Sequence, residues 1–302
     1  MSSAPSVRES EWTIGRLLNW TTDYLARHEV EDARLAAEVL IAGAAECRRI
    51  DLYTRFEKPL EEPRLGKLRE WVKRAARHEP IAYLVAEKEF FSLRFAVTPD
   101  VLIPRPETET LVEWVIDHCR AVAAPRLLDI GTGSGCIVIA CLANMPAAVA
   151  VASDVCEPAI ALARTNAERH GVLDRLTLVR ADRLKLPDDV AVSGFDVVMS
   201  NPPYVAAAEI DQLAPGVRDF EPRSALTDEG DGLSFYRDIG DSGASLLRPD
   251  GRVFVEIGDG QLESVKQAVT ERGKLSYLGA RKDRVTGRER VLALAPAGAG
   301  RE

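Results

Sequence analysis

The feature that most limits how this chain can fold is a strand stop near its middle. The apolar run Phe195-Asp196-Val197-Val198-Met199-Ser200 ends in Asn201-Pro202-Pro203-Tyr204. Two adjacent prolines have fixed φ angles and no N–H donors, so they neither extend a strand nor enter a helix interior. Asn201 is in turn pushed to extended backbone by the proline that follows it. A primary amide is therefore held stiffly at a strand end, close to the aromatic Tyr204. Read alone, the four residues are equally a recognition edge or a plain Pro-Pro turn, and their surroundings have to decide.

From Arg126 onward, strand and helix patterns alternate in the manner of a parallel α/β sheet. Strands are expected at Arg126–Ile130, Val149–Asp154, Leu176–Asp182, Phe195–Asn201, Gly251–Gly258, Leu275–Ala280 and Arg290–Ala295. Trp12 to His78 instead shows helical spacing, with Leu17, Leu18, Trp20, Tyr24 and Leu25, then Leu35, Ala36, Val39, Leu40 and Ala44, and reads as four helices with those stripes in the core. The last of the four is expected over Pro63–His78. Period-two alternation in Glu87–Phe91 and Leu93–Val97 predicts a β-hairpin, followed by a proline-marked linker. The expected organisation is a helical domain over 1–80, hairpin and linker over 81–104, a catalytic domain over 105–296 and a disordered tail over 297–302.

At 302 residues there is length for about two domains. A net charge of -8 argues against a broad electrostatic grip on nucleic acid, which calls for a basic face. The five cysteines form no C-x-x-C pair and the histidines are scattered, so no metal site is legible. The N-terminus shows no apolar leader and the chain no run of membrane-spanning length, and the expected location is the cytoplasm.

The first strand runs through Asp129 into Gly131-Thr132-Gly133-Ser134-Gly135 and then an apolar helix, a layout that lets backbone approach a nucleotide closely. Its G-x-G-x-G spacing departs from the dinucleotide fingerprint. Asp154, at the end of the second strand, stands 23 positions past Gly131, near the place where an acid binds the hydroxyls of a ribose. Asp129 directly before the turn is awkward for a pyrophosphate and suits a cation such as the ammonium of a methionine moiety. Asp182, at the third strand end, is a candidate acceptor for an adenine amine, with Arg183 beside the base, although a strand-end aspartate also serves as a helix cap. With Asn201 after the fourth strand, all four clusters fall on one rim of one sheet, where open α/β sheets bind ligands.

That arrangement resembles a class I S-adenosylmethionine-dependent methyltransferase, a Rossmann-like seven-stranded fold, with Asn-Pro-Pro-Tyr as the acceptor motif for a planar amide or aromatic amine. The lone pair of such a nitrogen is delocalised and its pKa is too high for a side-chain base, so base catalysis achieves little. Orientation helps instead: the Asn201 oxygen and the Pro202 carbonyl are two acceptors that bind both N–H groups, while Tyr204 lies against the planar acceptor.

Longer strings narrow the resemblance. Val97 to Glu109, which includes Ile103-Pro104-Arg105-Pro106-Glu107-Thr108-Glu109, together with Leu128 to Gly135, Ser200 to Val205, Phe220 to Leu226, Val255-Glu256-Ile257-Gly258 and Gln261, is similar to the HemK/PrmC family of peptide chain release factor glutamine methyltransferases, from about Trp12 to Ala295. The resemblance implies N5 methylation of the glutamine in the Gly-Gly-Gln loop of bacterial class I release factors, with the N-terminal domain helping to hold that partner. It places S-adenosylmethionine on Asp129, Gly131 to Gly135, Asp154, Asp182, Arg183 and Asn201, and the glutamine on Asn201 to Tyr204, with Arg105, Glu107 and Thr108 lining the same cavity. Thr108 and Glu107 equally suit capping of the helix that follows. Ala86 stands where the family has glycine, and Arg183 where it often has an apolar or aromatic residue. A ribosomal protein or an adenine in nucleic acid is the alternative acceptor for the same tetrapeptide.

Overall fold

The computed structural model describes residues 12–188, 190 and 194–298. The stretch read for a leader and residues 299–302 of the expected tail lie outside the described residues. The chain divides into two compact units, one holding the residues up to Ala86 with Pro215–Phe220, the other Glu87–Ala214 with Glu221 onward.

Over Trp12 to His78 the first unit has the four helices expected, α1 (Ile14–Arg27), α2 (Ala33–Ala45), α3 (Asp51–Thr54) and α4 (Arg64–Ala75), and α5 (Ile81–Val85) follows them. The Thr13 side chain caps α1 by accepting from the Arg16 N–H at 3.3 Å. Leu18, Leu25, Leu40, Ile41, Leu52 and Leu68 form its buried centre. Two residues of the expected stripes do not join them. Leu35 is exposed, and Trp20 stacks on Tyr24 along the outer face of α1 with ring centroids 5.0 Å apart. Helix α4 stops at Ala75, short of His78, whose φ of +64° belongs to the turn before Pro80. Helix α5 occupies the start of the expected hairpin region and ends at Ala86 with φ +56°, a left-handed conformation that glycine adopts freely and alanine at a cost of about 1 kcal/mol.

The second unit opens with the hairpin β1 (Glu87–Phe90) and β2 (Leu93–Ala96), turned by Phe91 and Ser92, both at positive φ. Chain order continues with α6 (Glu109–Cys119), β3 (Arg126–Ile130), α7 (Cys136–Asn144), β4 (Val149–Asp154), α8 (Glu157–Arg169), β5 (Leu176–Arg180) and β6 (Phe195–Ser200). After α9 (Pro215–Arg218), which belongs to the first unit, come α10 (Arg223–Leu226), α11 (Ser234–Leu246), β7 (Leu247–Glu256), α12 (Leu262–Thr270), β8 (Leu275–Lys282) and β9 (Glu289–Pro296).

Strands β3 to β9 form one seven-stranded sheet in the order β5-β4-β3-β6-β7-β9-β8. The five strands from β5 to β7 in that order are parallel, and β9 runs antiparallel between β7 and β8. The sheet is thus mixed where a parallel one was expected, because the turn Asp283 to Arg288 joining β8 to β9 is too short for a crossover helix. Alternate residues feed two cores: Leu127, Val197, Met199 and Phe254 on one face, Leu128, Val198, Val253 and Val255 on the other. Strand β6 is buried along its whole length, as a central parallel strand covered on both faces should be. At the end of the described chain, Pro296 closes β9, and Ala297 still donates its N–H to Lys274 O at 2.8 Å.

Candidate active site

Because β3, β4, β5 and β6 are parallel neighbours, their carboxyl ends share one rim, and a cavity of about 410 Å³ opens there. Gly131 and Gly133 take φ +72° and +54° in the turn after β3, and a Cβ added at either would meet nothing within 4 Å, so both present open space to a ligand. Gly135, at φ +81°, has a packing role instead, since a Cβ there would come within 2.8 Å of Ile139. Asp154 organises the turn: its carboxylate accepts the Gly133 N–H at 2.9 Å and the Cys156 N–H at 3.0 Å. Further lone pairs on those oxygens remain for hydroxyl donors. The Ser134 hydroxyl on the wall is buried with no partner.

Asp129 is placed differently from the expectation. It is fully buried behind Thr132, whose hydroxyl donates to its Oδ2 at 2.7 Å, and it is not a wall residue. Burial pushes its carboxyl up to about 7, helped by the charge of Asp154 and opposed by the Thr132 hydrogen bond. Any influence on a cation in the cavity passes through Thr132. Strand β5 ends two residues before Asp182, which is exposed on the wall and pairs with Lys185 at 3.0 Å. Arg183, at φ +53°, also reaches the wall, but its guanidinium is turned to Asp238 at 2.5 Å and lies over the Phe235 ring at 5.6 Å. The aromatic surface that Arg183 lacks is thus supplied by Phe235 from α11. Val155, exposed beside Asp154, adds an apolar wall. Phe235 was not legible beforehand, since nothing in the sequence ties α11 to this rim; Val155 directly follows Asp154 and was findable.

On the other half of the rim, Asn201 and Pro203 reach the cavity, while Pro202 is buried and is not part of its lining. The Asn201 Oδ1 is buried without a partner, and its Nδ2 donates to Thr108 Oγ1 at 3.4 Å. Thr108 makes no side-chain cap to α6, so the capping expectation fails. Glu256, at the end of β7, is buried, and burial pushes its carboxyl up to about 7. Tyr204 does not lie against the cavity: its ring packs on the core beneath α11, and burial pushes its phenol up to about 12. Its backbone carbonyl accepts from Gln261 Nε2 at 2.9 Å. Two glycines allow that close approach, because a Cβ on Gly232 would stand 2.3 Å from Tyr204 O and one on Gly258 3.1 Å from its ring. Tyr204 is an anchor for the turn.

Arg105 lines the cavity with its guanidinium bonded to the buried carboxylate of Glu221, which also accepts the Ile103 N–H at 3.1 Å. Two of the sequence strings, around Arg105 and around Glu221, thus bind one another. Glu107 is half-buried and is not among the wall residues. Asn166, unmarked in the sequence, ties the hairpin to the glycine turn: it bonds both N–H and carbonyl of Ala96, at 2.8 and 3.0 Å, and donates to Ser134 O at 2.8 Å. Among the described residues no helix is long and apolar enough to cross a membrane.

Residues 16–85 match the family described as PrmC N-terminal domain, and residues 108–217 the family described as Methyltransferase small domain. The release factor glutamine methyltransferase of Geobacter sulfurreducens is 44% identical over 254 residues, 84% of this chain and 87% of that protein. That of Rhodopirellula baltica is 37% identical over 297 residues, 96% and 99% of the two chains. Among solved structures, the hMettl16 catalytic domain in complex with MAT2A 3'UTR hairpin 1 aligns with a TM-score of 0.55 over 91% of each chain at 21% identity, a likeness of fold alone. With identity of this level held over most of the length of such relatives, the chain belongs to the release factor glutamine methyltransferase family.

Proposed function

We propose that the protein transfers a methyl group from S-adenosylmethionine to the side-chain amide nitrogen of the glutamine in the Gly-Gly-Gln loop of class I peptide chain release factors. The observation that carries this reading is the Asn201 Oδ1: a buried acceptor with no partner, on the wall of a cavity also lined by the glycine turn and Asp154. An orphaned acceptor is costly unless a donor arrives, and a primary amide brings two.

The wall fits the cofactor. Asp154 has acceptor capacity for ribose hydroxyls, Gly131 and Gly133 leave room beside the backbone, Ser134 offers a free hydroxyl, and Val155 and Phe235 are surfaces for a base, with Asp182 and Arg183 at its edge. The bound cofactor supplies an electrophilic methyl on a sulfonium sulfur. What the chain supplies is orientation. Asn201 Oδ1 accepts an amide N–H group, holds the nitrogen at the rim between the two half-sites and turns its lone pair toward the donor. As the N–C bond forms, the methyl–sulfur bond would break with a neutral thioether leaving, and one amide proton would pass to solvent water. A neutral asparagine suits a neutral acceptor, since a carboxylate there would retain a cationic amine. Arg105 and Glu107 flank the opening on the substrate side. The helical domain over 1–80 is the surface for the release factor, 81–104 the hairpin and linker, and 105–296 the catalytic domain; the division into compact units at Ala86/Glu87 supports a boundary at the hairpin. Work on release factors places the protein in the cytoplasm.

The test is incubation with labelled S-adenosylmethionine and, separately, release factor, DNA and ribosomal protein. Label in release factor that vanishes when the loop glutamine is replaced by alanine supports the proposal. Label in DNA or in ribosomal protein alone overturns it.

A further inference from the structure

Helix α11 starts without a cap of its own. Leu233 stands at its N-cap position and makes no side-chain bond, although the first N–H groups of a helix need acceptors. The acceptor comes from further back. Asp228 Oδ2 takes the Ser234 N–H at 2.9 Å, while its Oδ1 takes those of Gly230 at 2.8 Å and Gly232 at 3.0 Å. One carboxylate thus gathers three backbone donors and ties the loop 227–234 into a fixed shape. Partial burial works against its charge, yet the bonds from Ser234, Gly230 and Gly232 hold the carboxyl down to about 2.

That loop touches both halves of the site. On one side it runs beside the chain leaving the Asn201 turn: Val205 donates its N–H to Leu226 O at 2.9 Å and forms a parallel bridge with Thr227, and Ala207 donates to Gly230 O at 2.9 Å. Gly232 lies so close to Tyr204 O that a Cβ there would stand 2.3 Å from it. On the other side the loop leads into α11, whose second residue, Phe235, lines the cavity. The hydroxyl of Tyr236 donates to Glu256 O at 2.7 Å, which fixes the helix to the end of β7 and leaves its start to Asp228. Asp228 reaches the cavity wall as well, but three of its roughly four lone-pair sites are taken by the loop.

We propose that Asp228 is a positioning residue for both halves of the site: by holding one loop, it sets Phe235 against the base of the cofactor and braces the backbone that follows Asn201-Pro202-Pro203-Tyr204. A residue kept for capping α11 alone would need only the Ser234 bond. The bonds to Gly230 and Gly232 act instead on the segments that meet Ala207 and Tyr204.

The proposal rests on the cavity holding S-adenosylmethionine and the acceptor amide, and the experiment separates the two ideas. Cofactor affinity, and kcat for methylation of release factor at saturating cofactor, are measured for the full-length wild type, Asp228→Ala, Asp228→Asn, Phe235→Ala and the Asp228→Ala/Phe235→Ala pair, each well below its own thermal midpoint. Asp228→Ala is expected to weaken cofactor binding by about tenfold and to lower kcat by about tenfold, since a displaced orienting group costs rate even when the ligand is bound. Asp228→Asn keeps one acceptor oxygen and should fall between Asp228→Ala and wild type in both quantities. In the Phe235→Ala background, Asp228→Ala should cost no more than about twofold further in affinity, because its effect on the cofactor passes through that ring, while its loss of kcat persists. The proposal is overturned if Asp228→Ala leaves either quantity within about twofold of wild type, or if its affinity loss is the same with and without Phe235, which would make Asp228 a direct cofactor contact. An Asp228→Ala chain that does not fold leaves Asp228→Asn to be read by the same criteria. Should the wild type bind no S-adenosylmethionine, the reading of the cavity falls and the positioning role with it; should it bind and methylate while the Asp228 variants match it, the positioning role alone falls.

Discussion

The two halves of the rim hold their ligands by different means. On the β5-β4-β3 side the contacts belong largely to backbone and to partly solvated carboxylates: Gly131 and Gly133 face open space, and Asp154 holds the turn by two N–H bonds. On the β6-β7 side, side chains pin one another: Asn201 is held by Thr108, and Tyr204 by Gln261 and by the close approach of Gly232. A cofactor bound over several strands has its energy spread across many contacts. A small amide that must be turned in one direction depends on one acceptor being rigid.

If that contrast is right, the largest effect comes from the single rigid acceptor. Asn201→Ala should lower methyl transfer by about 10³-fold, by analogy with the loss of one preorganised hydrogen-bonding group, and leave cofactor affinity within about twofold. A matched loss of cofactor binding would break the division into halves.

Next is a pair of glycines with nearly the same φ, +75° at Gly232 and +72° at Gly131. Gly232→Ala adds a Cβ 2.3 Å from Tyr204 O, whereas Gly131→Ala meets no protein atom within 4 Å. Gly232→Ala should cost about 3 kcal/mol or more in denaturant unfolding. Gly131→Ala should cost the backbone term alone, about 1–2 kcal/mol, and weaken cofactor binding by about tenfold through lost space. Equal destabilisation would erase the distinction.

A pH series sharpens the cofactor half. Burial raises Asp129 from 3.8 to about 7, so its contribution to stability is fully present below about 4 and is lost as pH rises through about 7. Asp129→Asn should therefore melt with wild type near pH 4 and above it at pH 8, by an amount on the order of 1–4 kcal/mol. Cofactor affinity should rise with pH through the same window in wild type, as the ionised carboxyl behind Thr132 favours a cationic ligand in the cavity, and be flat in the variant. The smallest effect belongs to Lys185→Ala: its pair with Asp182 is solvent-exposed, and both stability and cofactor affinity should change by under about 0.5 kcal/mol.

Much of this was readable from residues alone because the signals were local. The strand runs ending at Asp154 and Ser200, the glycine turn and the Pro-Pro stop are each fixed by neighbouring residues, and the structure holds them where the spacing predicts. Errors came where distant residues compete. Thr108 looks like a cap from its own helix, and its hydroxyl oxygen accepts from Asn201 instead. Tyr204 looks like a substrate platform and is drawn into the core by α11 and Gln261. Trp20 fits the apolar period of α1 yet stacks on Tyr24 outside the core.

The sequence by itself determined the rim on which the site lies and the stiffness of the Asn201 turn, because periodicity, glycine and proline act through the chain's own φ and ψ. Only the tertiary structure decided which way the Asn201 amide points. Its Nδ2 donates to Thr108 Oγ1, a partner 93 positions away in the chain that the fold brings beside it.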